Sequence, residues 1–177
     1  MHSLQENLTM NNHRIILFIL ATAFVWLTGC KEAPKTTSDK IDALKQQVES
    51  DAKTLKDIEN KDFATLRNDF RYCDSILQYL TEEQVDAAFE KLNLTQAYLH
   101  QFADIKPIMV NKMDYLMVQL DNLKSDAESH YLSDSLVLIY LDTETKVADT
   151  LHRQVDYFQD RFNNCQKDLN TLKKSWK

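Results

Sequence analysis

Residues 38–80 read SDKIDALKQQVESDAKTLKDIENKDFATLRNDFRYCDSILQYL, and their apolar positions decide the fold. Ile41, Leu44, Val48, Ala52, Leu55, Ile58, Phe63, Leu66, Phe70, Cys73, Leu77 and Leu80 recur at three-and-four spacing, with Lys, Asp, Glu and Gln between them. A helix turns once in 3.6 residues, so this pattern makes one apolar stripe and one solvated face. Ser38 or Asp39 supplies a good N-cap at its start. At its end, Thr81-Glu82-Glu83-Gln84 has the form of a capping box, the Thr81 hydroxyl accepting from the Gln84 amide while the Gln84 side chain reaches back. Leu80 and Val85 flank that box as a hydrophobic staple, so the chain must change direction there.

Two further stripes follow. The second runs through Val85, Phe89, Leu92, Leu99, Phe102, Ile105, Met109, Met113, Leu116, Leu120 and Leu123, interrupted by Pro107, which frees the carbonyl of Ala103. The polar cluster between Lys124 and Ser135 marks a turn with competing caps at Ser125, Ser129 and Ser133. The third stripe is Leu136, Tyr140, Val147, Leu151, Val155, Phe158, Phe162, Cys165, Leu169, Leu172 and Trp176, at heptad-like intervals. The three segments, 38–80, 81 to about 123 and about 134 to 176, are nearly equal in length. Equal helices joined by short turns bury one another's stripes. The expected fold is therefore all-α: an elongated antiparallel three-helix bundle with coiled-coil character, about 60 Å long, its middle helix kinked at Pro107. A division of the middle segment at Pro107 gives the alternative, a four-helix bundle.

Composition points the same way. One Gly and two Pro in 177 residues leave little for phosphate loops, dinucleotide folds or many-turned β-sandwiches, which need backbone at positive φ or close to a ligand. The net charge of −6, without a Lys/Arg cluster, argues against nucleic acid and against a polybasic membrane-binding face.

The N-terminus carries an address. Ile15–Leu27, IILFILATAFVWL, is an uncharged run after Arg14; at 1.5 Å per residue it covers about 20 Å, short of a bilayer's hydrocarbon core. It reads as the h-region of a signal peptide spanning residues 1–29. Leu27-Thr28-Gly29-Cys30 resembles the lipobox of bacterial lipoproteins. That resemblance implies a diacylglyceryl thioether on Cys30, cleavage before it and acylation of the new amine, a stable anchor. Residues 30–37 then form a lipidated cysteine and short tether, and residues 38–177 the helical domain. Lys31, standing where an Asp would favour inner-membrane retention by family analogy, implies a cell-envelope protein of the outer membrane. KEA at 31–33 resembles the export tags of surface lipoproteins in Bacteroidetes. The periplasmic and surface faces both stay open.

With segments one and three parallel, Cys73 and Cys165 fall on core positions at similar depth, which predicts a disulfide between them in an exported protein; such a long loop would contribute about 4 to 5 kcal/mol. The same register sets Phe63 beside Tyr98 or Leu99 and Phe158, and Phe70 beside Leu92 and Phe162. His100, His130 and His152 form no metal or catalytic motif; Asp149 and His152 make one i, i+3 pair, read as a surface pair. No nucleophile motif is present. The expectation is a chain that is not an enzyme and takes no cofactor or metal.

Leu136-Val-Leu-Ile-Tyr-Leu141 is apolar all round the helix, and antiparallel pairing sets it beside Tyr115-Leu-Met-Val118. Tyr115, Val118, Val137, Leu138 and Leu141 are therefore the candidate interaction patch, at the end nearest the membrane. The expected function is a lipid-anchored envelope spacer, adaptor or accessory subunit acting through protein–protein contacts, with an unidentified envelope protein or a second copy as partner. The alternative is a ligand-binding or chaperone-like helical module.

Overall fold

The computed structural model describes residues 36–176. The expected signal peptide and the lipobox-like stretch ending at Cys30 lie outside the described residues. Within them the chain is all-α: helices α1 (Thr37–Asp57), α2 (Ala64–Ile76), α3 (Glu82–Glu128) and α4 (Asp134–Ser175), with no strand among the described residues. Four α-helices match the count of the alternative arrangement, but the division is not at Pro107. It falls in the first segment, where a π-helical turn, Ile58–Phe63, joins α1 to α2.

Backbone dihedrals stay helical across that junction, from Asp57 (φ −67°, ψ −42°) to Ala64 (φ −65°, ψ −39°). The cause is visible in the stripe. Ile58 and Phe63 are five residues apart, and both are buried. Five α-helical residues would carry Phe63 well off the core face; a turn with i to i+5 bonding brings it back. Phe63 then packs against Phe102 of α3, the ring centres 5.0 Å apart and the planes tilted by 35°, with the Arg67 guanidinium 5.2 Å from the Phe63 ring centre.

Pro107 lies inside the uninterrupted α3. A proline at such a position removes one backbone bond and leaves the Ala103 carbonyl without it. Both residues face solvent, so water can take up that carbonyl and the helix continues.

Polar pairs across the helices fix the register. Ser38 pairs with Glu128 (3.1 Å), Asp42 with Lys124 (2.6 Å), Lys45 with Asp121 and Glu59 with Lys106 (2.6 Å), so each step up the first segment matches a step down α3. These two segments are antiparallel. Asp51 with His152 and Asp69 with Lys173 (2.6 Å) rise together, so α4 runs parallel to the first segment.

The ends are capped without glycine. Thr36, not Ser38 or Asp39, caps α1 through a capping box with Asp39 (3.1 and 2.9 Å). Thr81 and Gln84 make the expected box at the start of α3. At its end the amide of Tyr131 donates to the Asp126 carbonyl and that of His130 to Ala127, a Schellman closure in which His130 holds φ 54°.

One core runs from Ile41 to Leu172. Two stripes shift in phase from the sequence reading. Ala88 is buried while Phe89 is 60 % exposed, and Val137, Leu141 and Ala148 are buried in place of Leu136, Tyr140 and Val147. Ala at 88 and 148, both at 0 % exposure, lets helices approach closely where a large side chain would hold them apart.

Candidate functional site

The chain's one buried carboxylate among the described residues is Asp51, on the core face of α1 between Val48 and Leu55. Its Oδ1 lies 2.9 Å from His152 Nδ1 of α4. The other ring nitrogen lies 3.6 Å from Asp156, one turn further along α4. The hydrogen bond to Asp51 is the main reason the His152 pKa is raised above its usual range; the charges of Asp51, Asp156 and Asp149 add to it, and partial desolvation opposes it. The imidazole side chain is 45 % exposed, whereas that of Asp51 is 7 % exposed. Solvent reaches the ring, while its Asp51 partner is shielded from it. The sequence reading saw His152 but paired it with Asp149 on the surface. Asp51 was missed because Ala52 was assigned to the stripe, although position 51 lies three after Val48 and four before Leu55 and so fits the stripe equally well.

A second polar group lies within the aromatic layer. Tyr98 packs within 5.9–6.3 Å of Phe102, Phe158 and Phe162, with its hydroxyl buried and without a hydrogen-bond partner among the described residues. Burial, with Cys165 nearby, pushes its pKa well up. Thr95, fully buried one turn before Tyr98, turns its hydroxyl to the Lys91 carbonyl at 2.8 Å.

The predicted bridge between Cys73 and Cys165 is corrected. Both are free, buried thiols. The register assumed from helix starts set residue 73 level with 165, but Asp69 meets Lys173, which places Cys73 beyond position 173 of α4. Cys165 lies more than two turns lower, on the order of 12 Å along the axis, beside Thr95 and Arg161. That is too far for a bridge. Burial pushes the Cys73 thiol up to about 11 and raises Cys165 as well, so neither favours the reactive thiolate. The aromatic layer shifts with the register: the ring that Phe63 meets is that of Phe102, while Tyr98 contacts Phe158 and Phe162.

The predicted patch divides. Val137 and Leu141 are core residues at 2 % and 7 % exposure, a correction that follows from the phase shift in α4. Tyr115, Val118 and Leu138 are exposed, and so are Leu136, Ile139 and Tyr140. At 100° per residue, Val118 points directly away from the core while Leu138 leans toward α1, so those two do not share a face.

Between α3 and α4 an open cleft of about 180 Å³ is lined by Gln119, Asn122, Asp126, Tyr140 and Glu144 over a floor of Leu123 and Leu132. Burial raises the Glu144 carboxyl pKa. The cleft is smaller than the cavities that usually enclose small-molecule ligands. No group of His, Cys, Asp or Glu suited to a metal ion occurs among the described residues, and none of their helices is long and apolar enough to cross a membrane.

No family model, curated protein or solved structure matches this chain.

Proposed function

We propose that this is a lipid-anchored, non-enzymatic protein of the bacterial cell envelope, outer-membrane in location, that acts as a spacer, adaptor or accessory subunit through protein contacts. In this reading α1, the π-turn and α2 act as one rod, and the three rods form an antiparallel bundle of coiled-coil character. The observation that carries the proposal is the uninterrupted core from Ile41 to Leu172, packed between helices pinned in register by ion pairs. A core continuous along the described helices favours holding two things at a fixed distance over enclosing a substrate.

The lipobox-like Cys30 stands six residues before Thr36, so an acyl anchor there would tether the end where α1 begins. The first segment, at 1.5 Å per residue, would carry its other end about 60 Å away. That far end keeps Tyr72, Tyr79 and Phe89 exposed, aromatic residues of the kind that anchor protein interfaces.

Two measurements test this. Cys30→Ala should move the protein from the membrane fraction to the soluble fraction and abolish incorporation of labelled palmitate; unchanged fractionation removes the anchor from the proposal. A photo-crosslinker at Tyr79 or Phe89 should capture a discrete envelope protein or a second copy in intact cells. Absence of any adduct at both positions would refute the adaptor role.

A further inference from the structure

Five large apolar side chains are exposed within ten residues at one end of the fold: Tyr131 at 80 %, Leu136 at 41 %, Leu138 at 48 %, Ile139 at 59 % and Tyr140 at 48 %. They occupy the turn after α3 and the first two turns of α4. On a helical wheel Leu136 and Tyr140 share one face while Leu138 and Ile139 point to two others, so no single neighbouring helix could cover all four. A surface that reaches round the helix end could.

The chain that leads into the fold points to the occupant. Ser38, at the start of α1, bonds Glu128 at the end of α3, so the point where the chain enters lies beside the α3–α4 turn. Thr36 is six residue steps from Cys30, and at 3.3–3.6 Å a step they span about 20 Å at most. An acylated Cys30 therefore keeps this turn within a headgroup layer's thickness or two of the bilayer. The charges nearby decide which kind of bilayer. Asp126, Glu128 and Asp134 flank the turn in sequence, with Lys124 4.0 Å from Glu128, and that acidic balance disfavours anionic headgroups while leaving zwitterionic ones neutral. Tyrosine is the residue type, after Trp, that most favours the boundary between headgroups and acyl chains.

We propose that the α3–α4 turn and the first turns of α4 rest on the zwitterionic surface of the bilayer that holds Cys30, with Tyr131 and Ile139 entering the headgroup boundary. The inference rests on the lipid-anchor reading above. It adds a second, non-covalent contact that fixes the angle between the helices and the membrane. An anchor alone leaves the domain free to tumble on its tether; a docked turn stands it upright.

The test uses the full chain, isolated from membranes with its anchor and reconstituted into phosphatidylcholine vesicles with or without bromine on the acyl chains. The reporter is Tyr131→Trp in a Trp176→Phe background, and Tyr79→Trp, equally exposed at the other end, is the control. Docking predicts that Tyr131→Trp loses most of its emission in brominated vesicles and Tyr79→Trp none. Adding Ile139→Asp should abolish that loss while the protein still pellets with the vesicles. Full emission at position 131 in protein that pellets overturns the docking and leaves the anchor standing. Failure to pellet overturns both. Full emission together with a crosslinked dimer through Ile139 overturns the docking in favour of a second copy.

Discussion

Replacing His152 by Leu separates a polar latch from ordinary packing. The Asp51 carboxylate, 7 % exposed, accepts from His152 and from no other side chain among the described residues, so the substitution leaves a buried charge without a donor. Breaking a fully buried pair costs about 3–5 kcal/mol. Here the imidazole is 45 % exposed, so solvent screens the pair and water can replace the lost donor in part. The expected loss is about 2 kcal/mol, near the value of a hydrogen bond to a charged group. For a domain of about 140 residues, unfolding entropy of about 2.1 cal/mol/K per residue turns that into a Tm lower by roughly 7 °C. Asp51→Leu combined with His152→Leu should recover most of it, because removing both partners leaves no orphan charge.

The pH dependence follows from the raised His152 pKa. The protonated ring is favoured in the folded state, so its contribution is complete below the unfolded value near 6.5 and declines as pH rises through the folded value. The neutral ring can still donate from Nδ1 to Asp51 but turns a lone pair toward Asp156, so the loss is partial. Thermal melts at intervals from about pH 6 to about pH 9 should show wild-type Tm falling relative to His152→Leu, whose profile lacks this component. Parallel profiles for the two proteins, or a double variant no better than the single one, would refute the reasoning.

Three other outcomes are expected. Native protein should resist a thiol reagent at Cys73 and Cys165, and both should react at once in denaturant without prior reduction, because both are buried, free and held protonated. His130→Gly should raise Tm by a few degrees, since only glycine adopts φ near 54° without a Cβ penalty of about 1–2 kcal/mol; an unchanged melt would mean the turn carries no such strain. Tyr98→Phe should be neutral or stabilising by up to about 1 kcal/mol, measured by denaturant unfolding, because it removes a buried hydroxyl that has no partner.

The helical class, the Thr81 boundary and most of the core were legible because apolar spacing reports which face of a helix is buried. Spacing says little about axial position. That is set by cross-helix pairs such as Asp69–Lys173, so the alignment that brought Cys73 to Cys165 failed. The five-residue step from Ile58 to Phe63 was a visible sign of the π-turn and was read as part of a regular stripe. The run Leu136–Leu141 gave no phase, since every register through it is apolar, and the choice of Leu136 over Val137 went wrong there. The end of α3 was hidden because its left-handed residue is His130, where glycine is the usual signal. The latch escaped notice because Asp51 becomes a partner of His152 only once two segments 101 residues apart are brought together.

The ladder formed by Ser38–Glu128, Asp42–Lys124, Lys45–Asp121 and Glu59–Lys106 has a mechanical consequence. Each link is weak, yet slipping one helix past its neighbour by a turn would strip all four together and push apolar knobs out of their holes. Shear along the axis is thus resisted cooperatively while sideways bending meets less opposition. Such a strut would pass a pull applied at one end to the other with little slack.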